Sequence, residues 1–356
     1  MVDYRANSSG SLIAEMLRGS WRGVPPAFEF SALELEEVAP LILKSGAAAL
    51  CWRRVRHCNL RYAKAANELQ QIYRWNNLET SIQQRRIVEA ITVLRAAGIE
   101  PILVKGCAVV QLYPENGLRP CGDIDLCVRP NQFGLAERSL AALPEMQGRV
   151  DIHCGFAKFG GGSFDEIYER GRLMRIGEID VLVPCAEDHL RIICIHMFRE
   201  GAWRPIWMCD VAVMLEARPL NFNWDHCQGQ KRVWSNWVTC GLRLSHQLLG
   251  ADITNTPAAG KGEPLPGWLV PTVLKEWGSS KPSMAQRHLK PMANYIRSPS
   301  GIIAGFRHRW PNPIEATIIG RGRFNDRPRL PFQIGSYIGR GVKFVTRLPG
   351  LLLEQR

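Results

Sequence analysis

Three aspartates in the first half of the chain have the types and spacing that could hold a divalent cation. Asp123 and Asp125 stand two residues apart in DIDLCV, a segment that alternates acidic and apolar residues like a strand, and Asp151 lies in a later short strand, RVDIH. Residues two apart on a strand project from one face, so both carboxylates could reach the same hard cation, which prefers oxygen ligands. With Asp151 on a neighbouring strand, the pattern predicts a site for two divalent ions, with magnesium expected.

A glycine turn upstream of this strand could bind phosphate. The run Pro101 to Lys105 (PILVK) predicts a short strand and Cys107 to Tyr113 predicts a helix, with Gly106 between them. Glycine at a strand-to-helix turn lets backbone N–H groups at the helix N-terminus approach phosphate oxygens. Gly106 and Cys107 therefore mark a candidate anion site next to the acidic strand.

The segment VKGCAVVQLYPENGLRPCGDIDLCV resembles the uncharacterised nucleotidyltransferases of the DNA polymerase beta-like superfamily. Members share a lysine-glycine pair, a short helix, and an arginine before an Asp-x-Asp strand. The likeness extends from about Glu34 through the helices after Asp188, with RWPNPIEAT at 309–317 as its outermost extension. It implies an α+β fold: a polymerase beta-like core, with a small mixed sheet and flanking helices, and helical regions on both sides.

The resemblance also implies an activity and a set of site residues. The reaction would move a nucleoside monophosphate, AMP from ATP, to a hydroxyl acceptor and release pyrophosphate, with two Mg²⁺ ions as cofactors. The implied catalytic and metal-binding residues are Asp123, Asp125 and Asp151, the last helping to deprotonate the acceptor. The implied nucleotide-binding residues are Lys105, Gly106, Cys107 and Arg119. Cys107 stands where the superfamily usually has serine, so affinity is expected to rest on backbone N–H groups, Lys105 and Arg119.

Two histidines are candidates for the acceptor side of this site. His153 shares a strand face with Asp151 and could contact the acceptor or orient a carboxylate, or it could be an ordinary strand-end histidine bonded to backbone. His196 lies on a predicted helix seven residues after His189. That spacing is about two helical turns, too long for both rings to share one ion directly, which favours core hydrogen bonding or acceptor binding.

Two other patterns imitate functional motifs. Glu178 and Asp180 repeat the Asp-x-Asp spacing but lack a preceding glycine turn, which is typical of the polar face of an edge strand. The glycines at 160–162 are not followed by Lys-Ser/Thr and do not join a strand to a helix, so they predict a flexible lid rather than a phosphate loop.

Composition indicates a globular protein. Of the 356 residues, 46% are hydrophobic, which is enough to form hydrophobic cores. The sequence contains no uncharged stretch of eighteen apolar residues, the length that a membrane-spanning helix needs. The first thirty residues do not read as a secretion signal. The eleven cysteines are odd in number and contain no C-x-x-C pair, so they are expected to be reduced thiols that fill the core. The expected location is the cytoplasm, with a peripheral membrane position left open.

The net charge of +12 is concentrated at the C-terminus. From Ala285 onward there are 13 Lys or Arg against 3 acids, interleaved with aromatic residues. Such a tail could bind nucleic acid or an anionic membrane surface, or it could be a solvated extension packed on the body.

The pattern of apolar periods and breakers divides the chain into five segments. They are an N-terminal helical region at 1–97, a nucleotidyltransferase core at 98–185, a helical domain at 186–250, a linker or loop region at 251–297 and a basic aromatic extension at 298–356. The partners expected are a nucleoside triphosphate and a hydroxyl-bearing acceptor of unknown kind: a small molecule, a peptide or RNA. The alternative is a catalytically degenerate transferase fold that binds RNA or a peptide.

Overall fold

The structure is a computed structural model that describes residues 8–160, 162–260, 264–279 and 310–340. The chain begins with helices α1 (Ser9–Leu17), α2 (Ala32–Ser45), α3 (Ala48–Val55) and α4 (Lys64–Ala96). Ser8 caps α1, and a reciprocal capping box of Ser31 and Glu34 starts α2. The aperiodic sequence of the first 25 residues gave no sign of α1, whose Ile13, Met16 and Leu17 are fully buried.

A mixed three-stranded sheet follows. Its elements are β1 (Ile102–Val104), α5 (Lys105–Val109), β2 (Ile124–Val128), α6 (Phe133–Ala141) and β3 (Val150–Cys154). The strand order is β1-β2-β3, with β1 antiparallel and β3 parallel to β2. Every residue of β2 is buried, because Leu126 and its neighbours pack against α4 and α6 on one side while Cys127 packs against Phe156 and Ile192 on the other. The alternating sequence had predicted only one buried face.

A two-stranded antiparallel hairpin completes the β-structure. Helix α7 (Phe164–Glu169) leads into β4 (Arg172–Ile176), which turns at Gly177 into β5 (Ile179–Val183). The sequence predicted β5 but not β4, whose alternating basic and apolar residues are mostly exposed. The side chain of Asp180 is about half exposed and lies 3.4 Å from Arg175 of the same hairpin.

The second half of the described chain is helical. It contains α8 (Ala186–Arg199), α9 (Pro205–Glu216), α10 (Trp224–Gln228), α11 (Arg232–Leu249), α12 (Leu269–Trp277) and α13 (Pro313–Ile319), and a further helix covers 330–340. Helices α8 to α13 share one large apolar cluster with α1, α2 and α3. Helix α12 lies inside the segment predicted as a linker, and it packs against α1 with Leu269, Val273 and Trp277 buried.

The described part of the C-terminal extension packs on the body. Phe324 is buried against Phe198, with ring centroids 4.6 Å apart, and the Trp237 indole donates a hydrogen bond of 2.8 Å to the carbonyl of Gly322. Arg340 pairs with Glu315. The remaining tail residues, 298–309 and 341–356, lie outside the described residues, as does Gly161 of the predicted lid. Among the helices that are described, none has the length and apolar character that a membrane crossing requires.

The observed architecture confirms the predicted fold class. A small mixed sheet with flanking helices stands between two helical regions, as expected for an α+β protein of this type. The sheet positions the site described next, because its parallel β2 and β3 carry acidic residues in register.

Candidate active site

Two of the predicted carboxylates meet on neighbouring strands. Asp125 on β2 is the register partner of Asp151 on β3, and Cys127 is that of His153. The Nε2 atom of His153 lies 2.8 Å from Oδ1 of Asp125 and 3.4 Å from Oδ2 of Asp151. The ligand atoms of Asp125, Asp151 and His153 all fall within 4.8 Å of one another, which is close enough for one cation. The Asp125 side chain is 5% exposed and that of Asp151 is 58% exposed, so the group is open on one side.

Lys105 supplies the positive charge of this group. Its Nζ lies 2.5 Å from Oδ1 of Asp125 and 3.3 Å from Nε2 of His153, and it stands 4.9 Å from the centroid of the Phe159 ring. The Lys105 backbone has a φ of +58°, a left-handed conformation that costs a non-glycine residue free energy and is found disproportionately at functional sites. This turn directs the lysine back over the sheet.

Charge balance decides the ionisation of Asp125. Burial by itself raises the pKa of Asp125, but the hydrogen bond from His153 and the positive charge of Lys105 outweigh burial and hold the pKa below its ordinary value. Asp125 is therefore an anion at neutral pH, with two cationic or hydrogen-bonding partners on one oxygen.

Asp123 occupies a different position from Asp125. It stands just before β2 and is exposed, whereas Asp125 is buried in the strand, and the cluster of ligand atoms described above does not contain it. Its negative charge nevertheless acts on the same neighbouring residue, Glu200, as the charges of Lys105 and Asp125. Burial raises the pKa of Glu200, Lys105 opposes this effect, and the negative charges of Asp123 and Asp125 both add to it.

The glycine turn is held in place by Arg119. A side chain at Gly106 would bring its Cβ within 2.5 Å of Nη2 of Arg119, so only glycine fits beneath the guanidinium. Arg119 is buried and paired with Asp210, with Nη2 to Oδ2 at 2.7 Å and Nε to Oδ1 at 3.1 Å, and it also donates to the carbonyl of Pro120. The hydroxyl of Tyr113 donates to the same Asp210 at 2.8 Å. The structure thus places Arg119 under the turn, with its donors engaged by protein groups.

Cys107 forms a disulfide with Cys121, which corrects the expectation that all cysteines are reduced thiols. The Cα atoms are 5.2 Å apart, and the bond joins the glycine turn to the loop that precedes Asp123. The pair was not predicted because the two cysteines are fourteen positions apart in the sequence and nothing in that spacing indicates a bridge. Of the nine free cysteines, six are buried.

His196 lies on the helical wall that faces this group. Its ring contacts Trp207 edge-on, with centroids 5.0 Å apart. Burial lowers the pKa of His196 to about 3, the charge of Lys105 lowers it further, and the charge of Asp125 opposes both. His196 is therefore neutral at physiological pH and senses the charges of the sheet.

A second group of ligand-type side chains lies at the start of α8. Cys185 Sγ is 3.1 Å from Oδ2 of Asp188, and His226 Nε2 is 3.1 Å from Oδ1. Asp188 is fully buried and also pairs with Arg191 and, at 3.2 Å, with Arg170. No motif in the sequence predicted this cluster.

Part of the first half of the chain is similar to a known protein family. Residues 31–144 match the family model described as an uncharacterised nucleotidyltransferase. This segment is therefore similar to a nucleotidyltransferase family. The match confirms the resemblance seen in the sequence; it includes Lys105, Gly106, Asp123 and Asp125 and ends before Asp151.

A solved structure, an antigenic nucleotidyltransferase-like protein from Paracoccidioides brasiliensis, is 13% identical, covers 49% of this chain and 91% of its own, and has a TM-score of 0.33. No curated protein matches the chain.

Proposed function

We propose that the protein transfers a nucleoside monophosphate, AMP from ATP, to a hydroxyl acceptor and releases pyrophosphate. The observation that supports this proposal most is the cluster of Asp125, Asp151 and His153 on two neighbouring strands. Lys105, which has a left-handed backbone conformation, and Gly106 follow the adjacent strand β1. The family match over 31–144 supports nucleotidyl transfer in general.

The donor set fits a hard divalent cation such as Mg²⁺. Asp125 and Asp151 offer carboxylate oxygens on adjacent strands, and Asp123 immediately precedes β2, the strand that carries Asp125. When bound, the metal would neutralise phosphate charge and lower the pKa of the attacking hydroxyl. Two ions are expected by analogy with the superfamily, held by Asp123, Asp125 and Asp151.

The protein's own side chains have distinct tasks in this reaction. The acceptor oxygen attacks the α-phosphorus, a new O–P bond forms, and the bond to the pyrophosphate oxygen breaks. Asp151, the exposed carboxylate of the group, accepts the acceptor's proton, and His153 orients Asp151 and Asp125 from 3.4 Å and 2.8 Å. Lys105 binds triphosphate oxygens as a point charge, together with backbone N–H groups at the Gly106 turn.

One observation favours a second candidate, a degenerate fold that only binds. The Lys105 ammonium already neutralises Asp125 at 2.5 Å, and a site without a metal would need such a counter-charge. In the catalytic reading, the lysine moves from Asp125 to the triphosphate. The two readings differ in what happens when Lys105 is replaced.

We expect the purified wild-type protein to bind ATP in the presence of Mg²⁺. In Asp151→Asn, the rate of nucleotidyl transfer, or of the slow background hydrolysis of ATP, should fall by about 10²- to 10⁴-fold, the range for loss of a general base. Asp180→Asn, an exposed acid on the β4–β5 hairpin, is the control and should match wild type. Activity is measured as pyrophosphate release with each of ATP, GTP, CTP and UTP. Unchanged release in Asp151→Asn would remove Asp151 from catalysis.

Lys105→Met separates the two candidates. In the catalytic reading it strengthens Mn²⁺ binding, because a competing unit charge is removed from Asp125, and weakens ATP binding. In the binding-only reading it creates an unpaired buried carboxylate, lowers stability and confers no Mn²⁺ affinity. Mn²⁺ binding is followed by electron paramagnetic resonance and stability by urea unfolding.

A further inference from the structure

A tight loop between α8 and α9 presents Arg204 beside the candidate active site. Gly201 and Ala202 both adopt left-handed conformations, with φ of +74° and +55°. The loop is fixed from two sides: the Ala202 N–H donates to the carbonyl of Met197 at 2.8 Å, and the Trp277 indole donates to the carbonyl of Ala202 at 2.9 Å. A strained backbone that is over-determined by its surroundings is typical of a segment that positions a functional side chain.

Aromatic rings hold the Arg204 guanidinium without using its donors. The guanidinium carbon lies 5.5 Å from the Trp203 ring centroid and 5.4 Å from that of Trp207. Its Nε donates to the carbonyl of Ser45 at 3.2 Å, and a Cβ at Gly46 would come within 2.5 Å of Nη2. The glycine that ends α2 therefore leaves space for this guanidinium.

The two terminal nitrogens of Arg204 have no hydrogen-bond or ion-pair partner among the described residues. Arg119, by contrast, has Asp210 on one edge and the Pro120 carbonyl on the other. Burial lowers the pKa of Arg204 to about 10, and the positive charge of Arg119 contributes to this, while Asp123 opposes it. A half-buried guanidinium without an anion is costly, and a bound anion would stabilise it.

Arg204 lies next to elements of the candidate site. It begins α9, whose Asp210 pairs with Arg119 beneath Gly106. Trp207, which lies beside the Arg204 guanidinium, also contacts the His196 ring, and Asp123 is among the charges that act on Arg204. Arg204 is also the N-cap residue of the twelve-residue helix α9, whose dipole favours negative charge at that end. Phosphate binding at Arg204 is thus favoured by three features: the free donors, the helix end and the neighbouring carboxylate site.

We propose that Arg204, clasped by Trp203 and Trp207, binds a phosphate group of the nucleoside triphosphate, and that Arg119 serves only to position the Gly106 turn. The inference rests on the nucleotidyl transfer proposed above. A planar guanidinium whose two terminal nitrogens are free can donate two hydrogen bonds to phosphate oxygens.

Isothermal titration of the full chain with Mg²⁺-ATP and with inorganic tripolyphosphate tests this assignment. Arg204→Gln should raise Kd for both ligands by about 10- to 100-fold, as expected for the loss of one charge-assisted donor group. The matched control is Arg218→Gln, because Arg218 lies just past the other end of α9 and also stands over an indole, 5.7 Å from the Trp224 centroid. It should bind both ligands like wild type.

The melting temperature separates a binding role from a structural one. If Arg204 binds phosphate, Arg204→Gln should melt no lower than Arg218→Gln without ligand and should lose the stabilisation that ATP confers on wild type. Equal ATP affinity in wild type and Arg204→Gln overturns the assignment. If wild type binds neither ligand, the proposed function itself fails. Should Arg204→Gln not fold, Arg204→Met keeps the aliphatic stem between the indoles and decides by the same criteria.

Discussion

Two clusters in this molecule each bring three potential metal-ligand atoms together, but they differ in how firmly their carboxylates are already paired. Asp125, Asp151 and His153 on the sheet, and Cys185, Asp188 and His226 at the start of α8, each bring three such atoms within 4.8 Å. The difference lies in the cations around them. The sheet cluster has one flexible ammonium and one carboxylate with a 58% exposed side chain, whereas Asp188 is fully buried between two guanidinium groups.

This difference indicates which cluster can exchange its partners. In the proposed reaction, Lys105 leaves Asp125 for the triphosphate by rotating its four-carbon side chain, while the Asp151 carboxylate stays exposed. Arg191 has no such freedom, since its Nη1 also donates to the carbonyl of His226 at 2.7 Å. In the second cluster, burial raises the pKa of Cys185 to about 12, with the charge of Asp188 adding to the effect, so the thiolate that a metal prefers is disfavoured. Ligand geometry alone is therefore a poor guide to a metal site.

The largest effect that would sharpen this contrast is on stability. Asp188→Asn should lower the free energy of unfolding by about 3 to 5 kcal/mol, because it leaves the buried Arg191 charge without its carboxylate. ATP affinity of the folded variant should be unchanged. Urea unfolding followed by titration calorimetry measures both quantities, with Asp180→Asn as the exposed control. A stable variant that had lost ATP binding would show that the second cluster takes part in function.

The disulfide near the sheet cluster is expected to contribute less to stability than the Asp188 carboxylate does. Reduction of the Cys107–Cys121 bond should lower the free energy of unfolding by up to about 3 kcal/mol, the chain-entropy value for a closed loop of this length. Cys121→Ser should reproduce the loss and make stability independent of dithiothreitol. Peptide mapping without reductant should recover the two cysteines as one linked pair. Finding both as free thiols in protein purified without reductant would contradict the assignment.

The sequence predicted the strands that carry the sheet cluster because their determinants are local. Strand propensity and two-residue spacing are properties of short segments, and they predicted β1 and β2 to within one residue at each end. Asp123 was harder: period-two spacing implied a shared face, but β2 begins at Ile124, so Asp123 lies outside the strand that holds Asp125.

Long-range pairing is what the sequence could not supply. The family resemblance implied that Arg119 binds the nucleotide, and no local pattern indicated that it would pair with Asp210, ninety-one residues later. The linker segment read as irregular because of its Gly and Pro content, although α12 within it completes the core against α1. Helix α1 and strand β4 are short elements whose stability comes from packing rather than from propensity, so their own residues give little signal.

The smallest expected effect is the pH dependence of the Asp188 contribution. Burial raises the pKa of Asp188, but the charge of Arg191 and the bonds from Cys185 and His226 outweigh it and hold the pKa below its ordinary value. A carboxyl whose pKa is lower in the folded state stabilises the protein above its unfolded pKa of about 3.9, and that contribution is lost as the pH falls through the folded value. The difference in unfolding free energy between wild type and Asp188→Asn should therefore be constant from pH 7 to 5 and shrink as the pH falls from 5 towards 3. Urea unfolding at each pH measures the difference, and a value independent of pH down to 3 would mean that the ion pair with Arg191 contributes nothing as a charge.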